Sequence, residues 1–227
     1  MTGKNKIVHF LSASDRVNYG DLLFPLIFKN ILNKFDSKIE FINYGIIRSN
    51  LIYFGALKTH SYFKLIRNTG KFGGNLVVGG GEVFFANWST LFGFINPIYA
   101  YLKKYYTFNI IEKKYKLSKY LLIRNQVDIP FVPSLSELSD ITTKIFYNSV
   151  GGNFSGANTT KRNKIIINNL QEANHISVRD RRTQKSLDKF DVNSELSPDS
   201  ALIMSDLFPI SYLENVVNKE KLNLPKS

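Results

Sequence analysis

Asn75-Leu76-Val77-Val78-Gly79-Gly80-Gly81-Glu82 is a short apolar run that stops at three glycines and a carboxylate. The run is too short for a buried helix and its valines favour extended backbone, so it reads as a strand inside the protein. The glycines mark the point where that strand ends. Three further stretches repeat the pattern. Asn18-Tyr19-Gly20-Asp21 follows the apolar Lys6 to Leu11, Ser177-Val178-Arg179-Asp180 overlaps His175 to Val178, and Ser197-Pro198-Asp199-Ser200 follows Val192 to Leu196. In an open parallel sheet the residues just past the strand ends share one edge, and ligands bind there. Clusters far apart in sequence are therefore expected to meet at one place. The fold implied is α/β, a Rossmann-like parallel sheet flanked by helices.

The intervening sequence supplies the rest of a βαβ rhythm. After a first strand over Lys6 to Leu11, a loop ending in Asp21 leads to a helix from about Leu22 to Lys34, with Pro25 tolerable in its first turn. Lys38 to Tyr44 reads as a second strand. Ser134 to Tyr147 reads as a helix, Ser149 to Phe154 as a strand entering a glycine turn, and Asn163 to Glu172 as a helix. His175 to Val178 is a strand, Arg181 to Phe190 a helix, Val192 to Leu196 a last strand, and Ile210 to Lys219 a final helix. Gly151 to Lys161 is the segment expected to be most flexible. The stretch from Glu82 to Pro133, dense in Phe and Tyr and then in Lys, gives no boundaries by pattern. With no repeat and no linker, all 227 residues are expected to form one domain.

Composition narrows the partners. A hydrophobic share of 44% describes a folded protein, and the absence of cysteine excludes disulfides and thiolate metal sites. A net charge of +12 favours anionic partners: phosphate-bearing small molecules, nucleic acid or an acidic bilayer surface. Near the N-terminus, Lys4 and Lys6 precede only the short run Ile7 to Leu11, which Ser12, Ser14, Asp15 and Arg16 interrupt, so secretion is not expected. Val83 to Leu102 carries no charge and has the length of a membrane span. Asn87, Ser89, Thr90, Asn96 and Pro97 inside it are costly in lipid, so it is expected to be a buried or interfacial segment.

Each cluster has a chemical reading and a plainer one. Asp21 could cap a helix; equally, Gly20 permits close ligand approach and Asn18 could bond a sugar hydroxyl or phosphate. The amides of Gly79, Gly80 and Gly81 could face an anion, although a turn with positive φ selects the same residues. Glu82 would repel an anion, and is expected to accept from hydroxyls or pair with a base. Arg179 projects toward the sheet edge with a planar fork suited to carboxylate or phosphate; an ion pair with Asp180 or Asp199 is the structural alternative. Asp199 serves as well in a turn and helix cap. His9, His60 and His175 have no spacing that makes a metal site, and His9 and His175 are expected to be core residues. Seven basic residues between Lys103 and Arg124 interleave with tyrosines, a mixture that suits single-stranded nucleic acid, a membrane interface or a solvated helix face.

Taken in order, Asn18-x-Gly20-Asp21, Gly79-Gly80-Gly81, Val150-Gly151-Gly152, His175 to Asp180 and Pro198-Asp199-Ser200-Ala201 resemble the N-terminal half of the polysaccharide pyruvyltransferase family, from about Ile7 to Leu207. The resemblance implies one lobe of a GT-B-type fold. It also implies an enzyme that moves a pyruvyl group from phosphoenolpyruvate onto a sugar of a cell-surface or exopolysaccharide, the acceptor free or lipid-linked, without a cofactor or metal. Arg179 would hold the donor, Asn18, Asp21 and Glu82 would orient acceptor hydroxyls, the glycine amides would line the cleft, and Gly20 and Asp199 would complete the substrate site. The family's second lobe, which supplies the general acid, has no counterpart after Asp206, so a second lobe or partner chain is expected and no catalytic residue is assigned here. The expected location is the cytoplasm, peripheral at the inner face of the membrane, and nucleic acid is not an expected partner of such an enzyme. Two other readings stand beside this one: a GT-B-type glycosyltransferase using a nucleotide sugar, and a non-enzymatic basic module for a membrane surface or nucleic acid.

Overall fold

The computed structural model describes residues 6–124, 126–138, 144–152 and 160–211. Its chain order is β1 (Ile7–Leu11), α1 (Tyr19–Phe35), β2 (Glu40–Gly45), β3 (His60–Ser61), α2 (Tyr62–Phe72), β4 (Asn75–Gly79), α3 (Trp88–Ile95), α4 (Pro97–Leu102), α5 (Tyr106–Tyr115), α6 (Leu117–Ile123), β5 (Ile145–Val150), α7 (Lys161–Gln171), β6 (His175–Val178), α8 (Arg181–Asp188), β7 (Glu195–Leu196) and α9 (Met204–Leu207). Seven strands pair in parallel in the order β3-β2-β1-β4-β5-β6-β7, a Rossmann-like α/β sheet. The order reverses direction between β1 and β4. There the connections leave toward opposite faces, α1 onto one core and α3 onto the other, which in an open parallel sheet is the position where ligands bind.

Period-two alternation in the central strands sorts side chains onto two cores. Val8, Phe10 and Val77 face one side and meet Phe24 and Phe28 of α1 together with Phe41. Leu11, Leu76 and Val78 belong to the larger core on the other side, with Tyr62, Leu65, Trp88, Leu91, Ile166 and Leu170 from the helices that cover it. Strands buried on both faces need apolar residues in succession, which is why Leu76-Val77-Val78 is unbroken.

Several boundaries differ from the pattern-based expectation. The first helix begins at Tyr19 rather than Leu22, which places Asp21 inside its first turn. Ser134 to Tyr147 is not a helix: Ser136–Leu138 is a single 3-10 turn, and β5 begins at Ile145 because its residues alternate toward the two cores. Of the strand expected over Ser149 to Phe154, Ser149 and Val150 are thus the end of an earlier one. Residues 153–159, most of the segment expected to be flexible, and residues 212–227, most of the last expected helix, lie outside the described residues. The last strand is only Glu195–Leu196, preceded by a left-handed turn at Asp191 with φ of 54°.

The uncharged Val83 to Leu102 is divided by its own polar residues. Asn87 caps α3 by accepting from the Thr90 amide at 2.8 Å, and Asn96 caps α4 by accepting from the Tyr99 amide at 2.9 Å, with Pro97 opening the new helix. Among the described residues no helix is long and apolar enough to cross a membrane. His9 is buried, with Nε2 3.0 Å from the Gly73 carbonyl. His175 instead sits exposed as the first residue of β6, 3.6 Å from Glu195 of the short edge strand β7.

Candidate functional site

The β1–α1 loop turns back across the sheet edge and brings Asn18 and Asp21 beside the end of β4. Asn18 Nδ2 donates to Asp21 Oδ2 at 2.9 Å, so this N-cap residue holds a carboxylate instead of accepting from an amide. Burial raises the Asp21 carboxyl above the ordinary range, and Asp15 adds to the rise while Arg16, Asn18 and Arg179 oppose it. Asp15 is itself buried and raised, with Oδ2 accepting from the Ile47 amide at 2.9 Å. Gly20 adds no side chain to this turn, and a Cβ there would come no closer than 3.7 Å to Asn18 Oδ1.

The three glycines at the end of β4 have separate reasons. A Cβ on Gly79 would lie 2.0 Å from Phe10 Cζ, and one on Gly80 2.1 Å from Phe24 Cδ2 with φ at +64°, so both positions are fixed by the aromatic core beneath them. The Gly80 amide donates to the Asn148 carbonyl at 3.0 Å and is therefore turned into the sheet, away from any bound anion. Gly81, at φ +76°, opens toward the site: a Cβ there would meet Asp21 Oδ1 at 3.6 Å. Its carbonyl accepts from both the Gly151 and Val83 amides, at 2.8 and 3.1 Å, stitching the end of β4 to the end of β5.

Glu82 then faces the end of β6. Arg179 Nη2 donates to Glu82 Oε1 at 2.9 Å, and Arg182 Nη2 donates to the same oxygen at 3.3 Å. Arg179 also has Asp180 and Asp199 oxygens at 3.9 Å, charge contacts too long to be hydrogen bonds. Its guanidinium passes over residue 151, a glycine, where a Cβ would come within 2.8 Å of Arg179 Nε. Asp180 caps α8 by accepting from the Thr183 amide at 2.8 Å and hydroxyl at 3.0 Å. Burial alone would raise its carboxyl, but Thr183 with Arg182 and Arg179 outweighs this and lowers it. Asp199 Oδ1 accepts from the Ala201 amide at 2.9 Å and caps the 3-10 turn Ser200–Ile203.

Asn18, Gly20, Asp21, Gly80, Gly81, Glu82, Arg179 and Asp199 thus all lie past the C-terminal ends of β1, β4, β6 and β7, and Gly79 is the last residue of β4. Gly79 and Gly80 serve packing there, whereas Asp21, Gly81, Glu82, Arg179 and Asp199 face the shared edge. A bulge in β5 joins the last two clusters. Ser149, at φ 50°, donates its amide to Ser177 Oγ at 2.9 Å and its hydroxyl to the Pro198 carbonyl at 3.0 Å, and Ser177 and Ser200 are consequently structural. Sequence patterns gave no role to Asp15, Arg16 or Ser149. Arg16 and Asp15 adjoin the Asn18 cluster and a wider window would include them, whereas nothing local marks a left-handed serine.

The edge gathers five carboxylates, of Asp15, Asp21, Glu82, Asp180 and Asp199, around three guanidinium groups, of Arg16, Arg179 and Arg182. It is acid-rich in a protein of net charge +12. Such an array accepts hydrogen bonds from hydroxyls readily and offers an arginine fork to one anion. Among the described residues no group of three or more His, Asp or Glu is placed to hold a metal ion. Clefts elsewhere include one of about 490 Å³ along β2 with Lys29, Lys58 and His60, one of about 890 Å³ by the starts of β6 and β7, and one of about 340 Å³ between the end of β2 and α6. Compared with family models, curated proteins and solved structures, the chain matches none.

Proposed function

We propose that this protein is a pyruvyltransferase-like enzyme whose switch-point edge receives phosphoenolpyruvate and a saccharide acceptor, free or lipid-linked, at the inner face of the cell membrane. The observation that supports this most is the placement of Arg179. It stands at the end of β6 and reaches across to Glu82, past the end of the switch-point strand β4, with Asp199 and Asp180 too distant to hydrogen-bond its remaining donors. A donor carboxylate or phosphate would take those donors bidentately. Asn18, Asp21 and Glu82 supply acceptors for sugar hydroxyls around it. In the transfer, a proton adds to the methylene carbon of phosphoenolpyruvate, one sugar hydroxyl adds to the neighbouring carbon, phosphate departs, and a second hydroxyl closes the ketal as the hydroxyl protons are lost. Arg179 stabilises charge on the departing phosphate or the retained carboxylate. The proton comes from a second lobe or partner chain, as the family resemblance implies.

Calorimetric titration of the full chain tests the site without requiring turnover. Phosphoenolpyruvate should bind saturably, and Arg179→Lys, which keeps the charge but loses the fork, should weaken it about tenfold or more, with a melting temperature within a few degrees of the parent. Binding of uridine diphosphate in place of phosphoenolpyruvate would instead support a nucleotide-sugar glycosyltransferase. Unchanged phosphoenolpyruvate affinity in Arg179→Lys would remove Arg179 from the site.

A further inference from the structure

Much of the basic excess of this protein falls in one stretch that contributes no residue to the acid-rich edge. From Pro97 to Arg124 there are seven cationic side chains and a single carboxylate, Glu112. That carboxylate is turned inward, accepting from the amide and hydroxyl of Ser118. α5 has no buried residue, although it carries Tyr106, Ile110, Ile111 and Tyr115. A ten-residue helix without a fully buried side chain gains little from its own length, and isoleucine and tyrosine left exposed are costly in water. Phe108 anchors it by edge contact with Tyr99 at 5.3 Å, leaving Tyr106 79% exposed. Nearby Ile98 and Phe94 are 72% and 68% exposed. Lys103, Lys104, Lys113, Lys114 and Lys116 flank this apolar surface in sequence, and Lys104 and Lys114 reach over Tyr101 and Tyr115.

We infer that α4 and α5 form a docking surface for an anionic lipid bilayer. Lysine is depleted from protein interfaces, whereas lysine flanking tyrosine and isoleucine is the composition that partitions into a negatively charged headgroup layer. The lysines supply attraction at range, and the isoleucines and tyrosines supply burial at contact. Position adds to this. Phe94, at the end of α3, packs under Arg16 with the guanidinium 5.1 Å from its ring centre, and Arg16 interacts with Asp21 of the switch-point edge. The apolar surface therefore adjoins the candidate site, and docking would hold that edge near the lipid headgroups. Docking itself requires nothing of the reaction proposed above.

Sedimentation with vesicles tests the surface on the full chain. Phosphatidylcholine vesicles containing phosphatidylglycerol should carry the protein down at low salt, vesicles of phosphatidylcholine alone should not, and about 1 M salt should release it. Lys103→Glu/Lys104→Glu/Lys113→Glu should lower partitioning about a hundredfold or more. Ile98→Ser/Tyr106→Ser/Ile110→Ser should lower it at least about tenfold while the circular dichroism spectrum is retained. Equal recovery with neutral and anionic vesicles overturns the proposal. So does a dimer, seen by light scattering, that the serine variant dissolves while neither protein binds vesicles, because the surface is then a contact between copies of this chain. The lipid and salt dependence of the parent protein decides the matter even if a variant does not fold.

Discussion

At the scale of single residues, the glycine triplet separates packing from access. Gly80 combines positive φ with the Phe24 ring where a side chain would go, and Gly81 combines positive φ with open space toward Asp21. Gly80→Ala should therefore cost about 3 kcal/mol or more, the sum of overpacking and left-handed strain. Gly81→Ala meets only the strain and should cost about 1–2 kcal/mol. Urea unfolding of both variants checks the pair: equal costs would mean that Phe24 moves aside without penalty. Arg179 shows the same division from the other side. Gly151 lies bare beneath its guanidinium, so the backbone is shaped to place this group, while the carboxylates around it decide what else it can hold.

At the scale of elements, Lys119 and Asp128 fasten α6 to the loop that follows it. The Lys119 side chain is 9% exposed, Asp128 is half-exposed, and Nζ donates to Oδ1. The hydrogen bond and charge of Lys119 hold the Asp128 carboxyl below its ordinary range, with burial opposing. A lowered folded-state pKa gives stability that is complete above the ordinary carboxyl value and is lost as pH falls through the folded one. Asp128→Asn should then cost about 1–2 kcal/mol at neutral pH, less than a fully buried pair because Asp128 faces water, and its unfolding free energy should fall less on acidification below about pH 4 than that of the parent. Urea unfolding across this range measures both effects, and an unchanged acid dependence would exclude the pair.

Elements were also where sequence and structure diverged in an instructive way. β1, β4 and β6 were legible because both faces are buried and each ends at a turn residue or charge. The helix expected over Ser134 to Tyr147 failed because Ile145 and Tyr147 serve a strand's two-residue period, which a window that begins among serines and glutamate obscures. Gly79 and Gly80 look like a phosphate loop in sequence, and only the positions of Phe10 and Phe24, distant in the chain, give them a packing role. The pairing of Glu82 with Arg179 spans 97 residues and has no local signal.

At the scale of the whole molecule, charge is segregated. The net +12 suggests a site for anions, yet the switch-point edge collects carboxylates and the lysines crowd α4 to α6. Parallel topology explains how the first arrangement arises. Four strand ends, drawn from positions between Leu11 and Leu196, deliver their turns to one line, and the order reverses between β1 and β4, the position at which open parallel sheets bind ligands. Amide spectra of the isotope-labelled full chain, recorded as phosphoenolpyruvate is added, test this most directly. Saturable shifts should concentrate on Asp21, Gly81, Glu82, Arg179 and Asp199, leaving α5 and the cleft along β2 unchanged. Shifts confined to that cleft or to the starts of β6 and β7, or no saturable shift at all, would contradict a binding site at the switch point.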